Sequence, residues 1–302
     1  LIDVFISIGG IYLFILLGFI GKKYFKEKID EKSIVLISIY LLQPMLVFWG
    51  LTSRPIDSTI KEAPVLFLIA IFILLVISLI LATLYFDDKK SRSIAIVGSI
   101  VGNTGNLGIP LGIALFGEES IIYTSIINLV NVFIVYTIGV YFYSRGNFSI
   151  VESIKNIFKL PAIWFGVFAI LFNLFGFNLP HSLLLPLKMG AYATMVLQLM
   201  IFGIYLATVK ISNIDKRLVT FTIIFKFIIT PIIAIVLLYT INSVPIVYNV
   251  VILELLVPLA VMNVNLAALY DCKPEQVAFL TFATSFIFLV YLFMMVKWIF
   301  LV

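Results

Sequence analysis

Stretches of about twenty residues almost free of charge recur from one end of this chain to the other, each long enough to cross a hydrocarbon layer roughly 30 Å thick as a helix. That recurrence governs everything the chain can fold into, because inside lipid only helices and closed barrels satisfy their own backbone hydrogen bonds. The pattern predicts spans over 3–21, 33–52, 64–86, 93–116, 120–143, 161–178, 190–209, 218–240, 247–270 and 276–300. Of the 302 residues, 63% are hydrophobic and 12% charged, whereas a globular domain is roughly half apolar and about a quarter charged. The chain reads as an all-α polytopic membrane protein of ten transmembrane helices, with connections too short for a soluble domain.

Basic residues sort by side. The odd-numbered connections carry Lys22, Lys23, Lys26, Lys28, Lys32, Lys89, Lys90, Arg92, Arg145, Lys155, Lys159, Lys210, Lys216, Arg217 and Lys273; the even ones carry only Arg54, Lys61 and Lys188. By the positive-inside rule the odd connections are cytoplasmic and both termini extracellular, in a plasma membrane or a bacterial or archaeal cytoplasmic membrane. Lysines follow the first span and do not precede it, the reverse of a secretory signal. The net charge of +5 therefore reflects sidedness and gives no reason to expect a nucleic-acid partner. A single cysteine, Cys272, and a single histidine, His181 after Pro180 in a connection, rule out an intrachain disulfide and a cysteine-rich metal site. No enzyme, cofactor or metal centre is expected.

With five spans on either side of the polar stretch at 144–160, the second half must enter the membrane from the opposite face. That is the inverted-repeat plan of many secondary transporters. It divides the chain into a first five-helix repeat (1–146), a cytoplasmic linker (147–160) and a second, inverted repeat (161–302). Matching irregularities support the division. The fourth span is interrupted by "VGNTGNLGIPLG" (101–112), and the ninth, "VILELLVPLAVMNVNLAALY", by Pro258 with Asn263 and Asn265 beyond it. The second and seventh spans each carry a lone mid-span glutamine, Gln43 and Gln198.

Backbone that leaves the helix in hydrocarbon survives only where protein or a water-filled cavity surrounds it. Gly102, Gly105 and Gly108 permit such a departure, and Pro110 suits the first turn of a restarting helix. One half-helix is expected to end near Gly102–Asn103 and the next to begin near Ile109–Pro110. The N-terminus of the restarting half would favour an anion, and Asn103, Asn106, Asn263 and Asn265 would add amides. Two crossing breaks would then form a polar chamber without a fixed cation, suited to a carboxylate on a partly apolar molecule. Asn128, like Gln43, also suits interhelical hydrogen bonding. Two charges lie within spans, Lys226 and Glu254; they read either as a structural ion pair or as a proton-coupling element.

"NTGNLGIPL" (103–111), followed by "ALFG" (114–117), resembles the fourth span of the auxin efflux carrier family, here as a short-loop, microbial-type member. "VPLAVMNVNLAALYDCKPE" (257–275) is similar to the family's ninth span in placing Pro258, Tyr270 and Pro274. The likeness extends to "IVYTIGVYFYSRG" (134–146), to Gln43-Pro44 and to Lys226-Phe227 ahead of Pro231. It implies broken, crossed helices 4 and 9, a dimerising scaffold of spans 1, 2, 6 and 7, and a transport domain of spans 3–5 and 8–10 that moves as an elevator. It also implies that Asn103 contacts a substrate carboxylate and that Pro110 is the crossover proline. The plant members differ in having a long central loop and a second proline where Asn263 stands.

The substrate-binding set expected from these readings is Gln43, Asn103, Gly105, Asn106, Gly108, Ile109, Pro110, Asn131, Pro258, Asn263 and Asn265. Lys226 and Glu254 form the coupling or ion-pair set. The leading expectation is efflux of small organic anions across the bilayer by a homodimer. A Na⁺- or H⁺-coupled symporter or antiporter of the same plan, and a ligand sensor built on it, stay open as alternatives.

Overall fold

The structure is a computed structural model that describes residues 2–53, 55–56, 58–144, 158, 160–208, 214–241 and 243–296. The expected linker at 147–160 falls outside them except for residues 158 and 160, and the Asn265 side chain is likewise outside the described set. Among the described residues the backbone is helical, with one isolated β-bridge and no strand ladder.

In chain order the helices are α1 (Ile2–Phe25), α2 (31–52), α3 (Ser58–Tyr85), α4 (Lys89–Ile100), α5 (Thr104–Phe116), α6 (121–144), α7 (Pro161–Leu174), α8 (His181–Thr208), α9 (Lys216–Thr240), α10 (Pro245–Leu256), α11 (Met262–Leu269) and α12 (Pro274–Met295). Among the described residues, six helical segments are long and apolar enough to cross a membrane, in α2, α3, α6, α8, α9 and α12. Three shorter apolar helices, α5, α7 and α10, accompany them. Large apolar side chains such as Phe72, Leu84, Ile232 and Val236 stand on the outer surface, as lipid requires and water does not tolerate over so wide an area. This is a multi-pass membrane protein.

Local chemistry sets the ends. Pro161, Pro245 and Pro274 open α7, α10 and α12, where the missing N–H costs nothing. Asp88 and Asp215 cap α4 and α9 through their carboxylates. Among the described residues, four helices contain a widened π-turn: Ile37–Leu42 in α2, Thr104–Gly108 in α5, Val135–Gly139 in α6 and Phe225–Ile229 in α9. Pro44, Pro110 and Pro231 each stand two residues beyond the end of one of these turns. Proline lacks the N–H of the regular ladder and its ring collides with the carbonyl four residues back; shifting the preceding turn to the i→i−5 register relieves both without ending the helix.

α1 packs along α8, and α2 packs on α7 and α8. At the α1–α8 crossing, a Cβ on Gly18 would enter the Met200 backbone and one on Gly203 the Ile15 backbone. Two glycines thus set the close approach, the usual device of helices in lipid. A second group gathers around α3, which touches α4, α6, α9 and α10, while α12 packs on α9 and α11. The groups meet along α2–α6, α1–α5 and α8–α5.

One end of this second group is fastened by polar contacts between the α3–α4 and α11–α12 connections. Lys273 Nζ lies 2.7 Å from Asp88 and Lys90 Nζ 3.0 Å from Asp271. Burial acts to raise the Asp88 carboxyl, but hydrogen bonds from Lys273 and from the Ser91 N–H and hydroxyl, with the Lys273 charge, hold it well below the usual carboxylate range. A depressed folded value means the contribution is complete above the unfolded carboxylate range and is lost as pH falls through the folded one. Asp88→Asn keeps a cap but loses the ion pair. Because Asp88 is half exposed, the variant should lose under about 1 kcal/mol at neutral pH. Thermal unfolding in detergent should show the gap between wild type and variant closing as the pH is lowered below about 4.

Candidate substrate site

The two interrupted spans meet at their interruptions. α4 and α10 are each 12 residues long, and each ends on an extended valine whose N–H still bonds back into the helix: Val101 to Val97 at 2.9 Å and Val257 to Leu253 at 3.0 Å. Beyond them Gly102 and Leu259 form an antiparallel bridge, and the Asn103 N–H donates to the Pro258 carbonyl at 2.8 Å. The breaks satisfy each other's backbone, which is how non-helical chain persists at this depth. Gly102 is required for the approach, since a Cβ there would come within 2.9 Å of Val257 Cγ2.

In each half the helix after the break holds it. Asn131 of α6 donates through Nδ2 to the Gly102 carbonyl at 2.9 Å and to Thr104 Oγ1 at 3.0 Å, and Thr104 donates onward to Asn128 Oδ1 at 2.9 Å. In the other half the Leu259 N–H donates to Thr284 Oγ1 of α12 at 3.3 Å. Asn128 and Asn131 share a face of α6, being three residues apart.

The restart differs from the sequence expectation. α5 begins at Thr104 and not at Ile109–Pro110. The Leu107 and Gly108 N–H groups both donate to the Asn103 carbonyl, at 3.0 and 3.2 Å, so the widened turn carries the helix through the glycines and past Pro110. The free N–H groups at the helix start are consequently those of Thr104, Gly105 and Asn106, ahead of the first intrahelical donor.

Those residues line a cavity of about 110 Å³, room for a few waters or a small molecule. Of the expected residues it collects Gln43, Asn103, Gly105, Asn106 and Asn131; it also gathers Ser38, Thr104, Asn128, Tyr136 and Gln198. Gly108, Ile109, Pro110, Pro258 and Asn263 do not line it. Ile109 packs with Leu46, Trp49 and Ile121, the Pro258 carbonyl holds the crossing, and Asn263 is fully buried elsewhere. Among the described residues, no charged side chain lines it. Four buried polar atoms on its wall have no protein partner: Asn103 Nδ2, Ser38 Oγ, Asn131 Oδ1 and Gln198 Oε1. Such groups are costly to bury unpaired, so their natural complement is a ligand or ordered water. Gln198, a lone mid-span glutamine, and Thr104, inside the interrupted stretch at 101–112, carried a signal in the sequence; Ser38 and Tyr136 were not singled out by it.

Lys226 and Glu254 lie at the same crossing but outside the cavity lining. They do not hydrogen-bond to each other. Lys226 Nζ donates to the Leu255 carbonyl at 2.7 Å, a last-turn acceptor of α10 that a cation suits. Both Glu254 carboxylate oxygens lack a hydrogen-bond partner, and the carboxylate presses on Gly108 so closely that a Cβ there would overlap it.

Comparison with known proteins decides the family. The profile described as "Membrane transport protein" matches residues 3–296. The chain belongs to the membrane transport protein family. This is the family of the auxin efflux carriers, as the fourth- and ninth-span motifs lead one to expect. An uncharacterized transporter of Methanocaldococcus jannaschii is 28% identical over 285 residues, covering 91% of this chain and 92% of that protein. The crossed breaks therefore belong to a transporter, and the cavity beside them is its candidate substrate site.

Proposed function

We propose that this transporter carries small organic anions, carboxylates by preference, out of the cytoplasm. The observation that supports this is the cavity wall. It combines a helix start with free N–H groups at Thr104–Asn106, an unpartnered amide donor on Asn103 and a hydroxyl on Ser38, with no fixed charge. Oriented N–H groups and the positive end of a helix dipole suit an anion. The unpartnered acceptors Asn131 Oδ1 and Gln198 Oε1 suit a hydroxyl on the same molecule or waters around it.

The fold plan implied by the resemblance completes the reading: ten spans in two inverted repeats, here α1–α6 and α7–α12. A scaffold of α1, α2, α7 and α8 dimerises, and the remaining helices travel as an elevator carrying the crossing. Two features support it: the matched breaks of α4–α5 and α10–α11, each tied by the helix that follows, and the packing of α1, α2, α7 and α8 on one another. The cavity draws on the early part of α2, the start of α7 and the later part of α6. With the basic connections cytoplasmic, it faces inward and both termini are extracellular. At the opposite end Lys188 of α8 meets Glu118 at 2.7 Å, a tie between the two groups consistent with closure there. Sodium coupling finds less support, because the Lys226 ammonium already occupies the cation-seeking end of α10.

The test is tracer uptake into liposomes containing the purified protein, with lactate, benzoate and malate as probes and Asn103→Ala beside wild type. Asn103 Nδ2 has no protein partner, so its removal should leave the unfolding temperature unchanged. Flux of the accepted class should fall about ten- to a hundredfold, the worth of a hydrogen bond to a charged group. No flux with any probe, or equal flux in a folded variant, would overturn the assignment.

A further inference from the structure

We propose that Glu254 is the proton-binding residue of this transporter and that each organic anion moves together with one proton taken up on its carboxylate. The inference rests on the carboxylate reading and deepens it.

Two ionisable side chains are buried at one crossing, Lys226 at 2% exposure and Glu254 at 1%, with unequal satisfaction. Lys226 is hydrogen-bonded to the Leu255 carbonyl; Glu254 has neither oxygen partnered. A purely structural ion pair needs close geometry and additional hydrogen bonds to repay desolvation, and this carboxylate has neither. A carboxyl group that alternates between charged and neutral forms cannot be locked into a hydrogen-bond set that fits only one of them.

Position links it to the cavity. The carboxylate touches Gly108 on α5, and the cavity-lining Thr104, Gly105 and Asn106 precede Gly108 on the same helix. Charges facing Glu254 are few. Lys226 comes from α9. α5 has no titratable residue over Thr104–Phe116, and α6 offers the tyrosines Tyr123, Tyr136, Tyr141 and Tyr143. On α3, Lys61 and Glu62 lie in the first turns and Tyr85 at the far end, and Glu62 accepts from Ser243 beyond the start of α10. Tyr239 of α9 is turned outward, 87% exposed.

Charge balance then gives the coupling. With the cavity empty, Lys226⁺ and Glu254⁻ sum to zero. A bound monoanion adds one negative charge to a site with no other cation among the described residues, and an O–H bond formed at Glu254 with a proton from water restores neutrality. The bond breaks and the proton returns to water when the anion leaves on the other side. Intramembrane charge is zero in both states, the condition that a low-dielectric interior favours.

The experiment is calorimetric titration of the purified protein with lactate, benzoate and malate in buffers of different ionisation enthalpy, which counts protons bound per anion. Wild type should take up about one proton per bound monoanion and Glu254→Gln none, while still binding, because binding and protonation are thermodynamically linked. Binding by wild type without proton uptake, or equal uptake in the variant, overturns the proposal and leaves the carboxylate reading standing. Failure of all three probes to bind overturns that reading and the coupling with it. An infrared pH titration needs no anion: a carboxylic-acid band that titrates in wild type and is absent from Glu254→Gln is expected, and a wild-type spectrum with no such band overturns the assignment whatever the cavity binds.

Discussion

Gly108→Ala should abolish transport and destabilise the protein, although alanine is the better helix former. In an ordinary helix the exchange would gain roughly 0.5–1 kcal/mol. Here the new methyl would occupy the space of the Glu254 carboxylate, which is buried on all sides and cannot swing into solvent. Overpacking of this kind costs about 1–3 kcal/mol, so the net change should be a loss, read as a lower unfolding temperature in detergent. Flux should suffer more than stability, because the displaced group sits where α5 and α10 cross. A double-mutant cycle separates shape from charge. Glu254→Ala should rescue the stability of Gly108→Ala by making room, whereas Glu254→Gln, with the same bulk and no charge, should not. Equal rescue by both would mean that the charge, and not the space, forbids the methyl.

That glycine also shows where the sequence stops being legible. The apolar stretches announce the helices, and Gly102 and Pro258 mark where two of them open, because glycine and proline act on the backbone itself and need no tertiary context. The crossing follows: two open backbones at equal depth need each other's hydrogen bonds. The restart of α5 at Thr104 was hidden because Pro110 reads as a helix start unless the turn before it widens. That widening adds a residue to the turn and rotates everything beyond it, so Gly108 faces Glu254 and Ile109 packs on Trp49, neither toward the cavity. Asn263, buried away from the cavity lining, is a related case: a residue can be placed beside a break by spacing, but its face depends on how α11 is turned against α6 and α12. Lys226 and Glu254 were visible as unusual charges, yet only coordinates separate a bonded ammonium from an unpartnered carboxylate.

Asn131→Ala should damage both folding and flux, and the contrast with Asn103→Ala identifies what each amide does. Asn131 Nδ2 is the donor to the Gly102 carbonyl and to Thr104 Oγ1, while its Oδ1 faces the cavity without a partner. Truncation leaves a buried carbonyl orphaned at the crossing, at a cost of about 1–3 kcal/mol, and frees the start of α5 from α6. Asn131→Asp is the sharper probe. It keeps the shape, but an ionised carboxylate only accepts hydrogen bonds, so the Gly102 carbonyl is still unpaired and a negative charge now stands on the wall of a cavity assigned to anions. Carboxylate flux in Asn131→Asp should therefore fall below that of Asn131→Ala at neutral pH and recover in part on acidification, as the new carboxyl takes a proton and regains a donor. Asn103→Ala should instead lose flux at every pH with its unfolding temperature intact. If Asn131→Asp transported a carboxylate better than Asn131→Ala, the wall beside α6 would be meeting a cationic or donor group of the substrate, and the anion would have to lie against the α5 start alone.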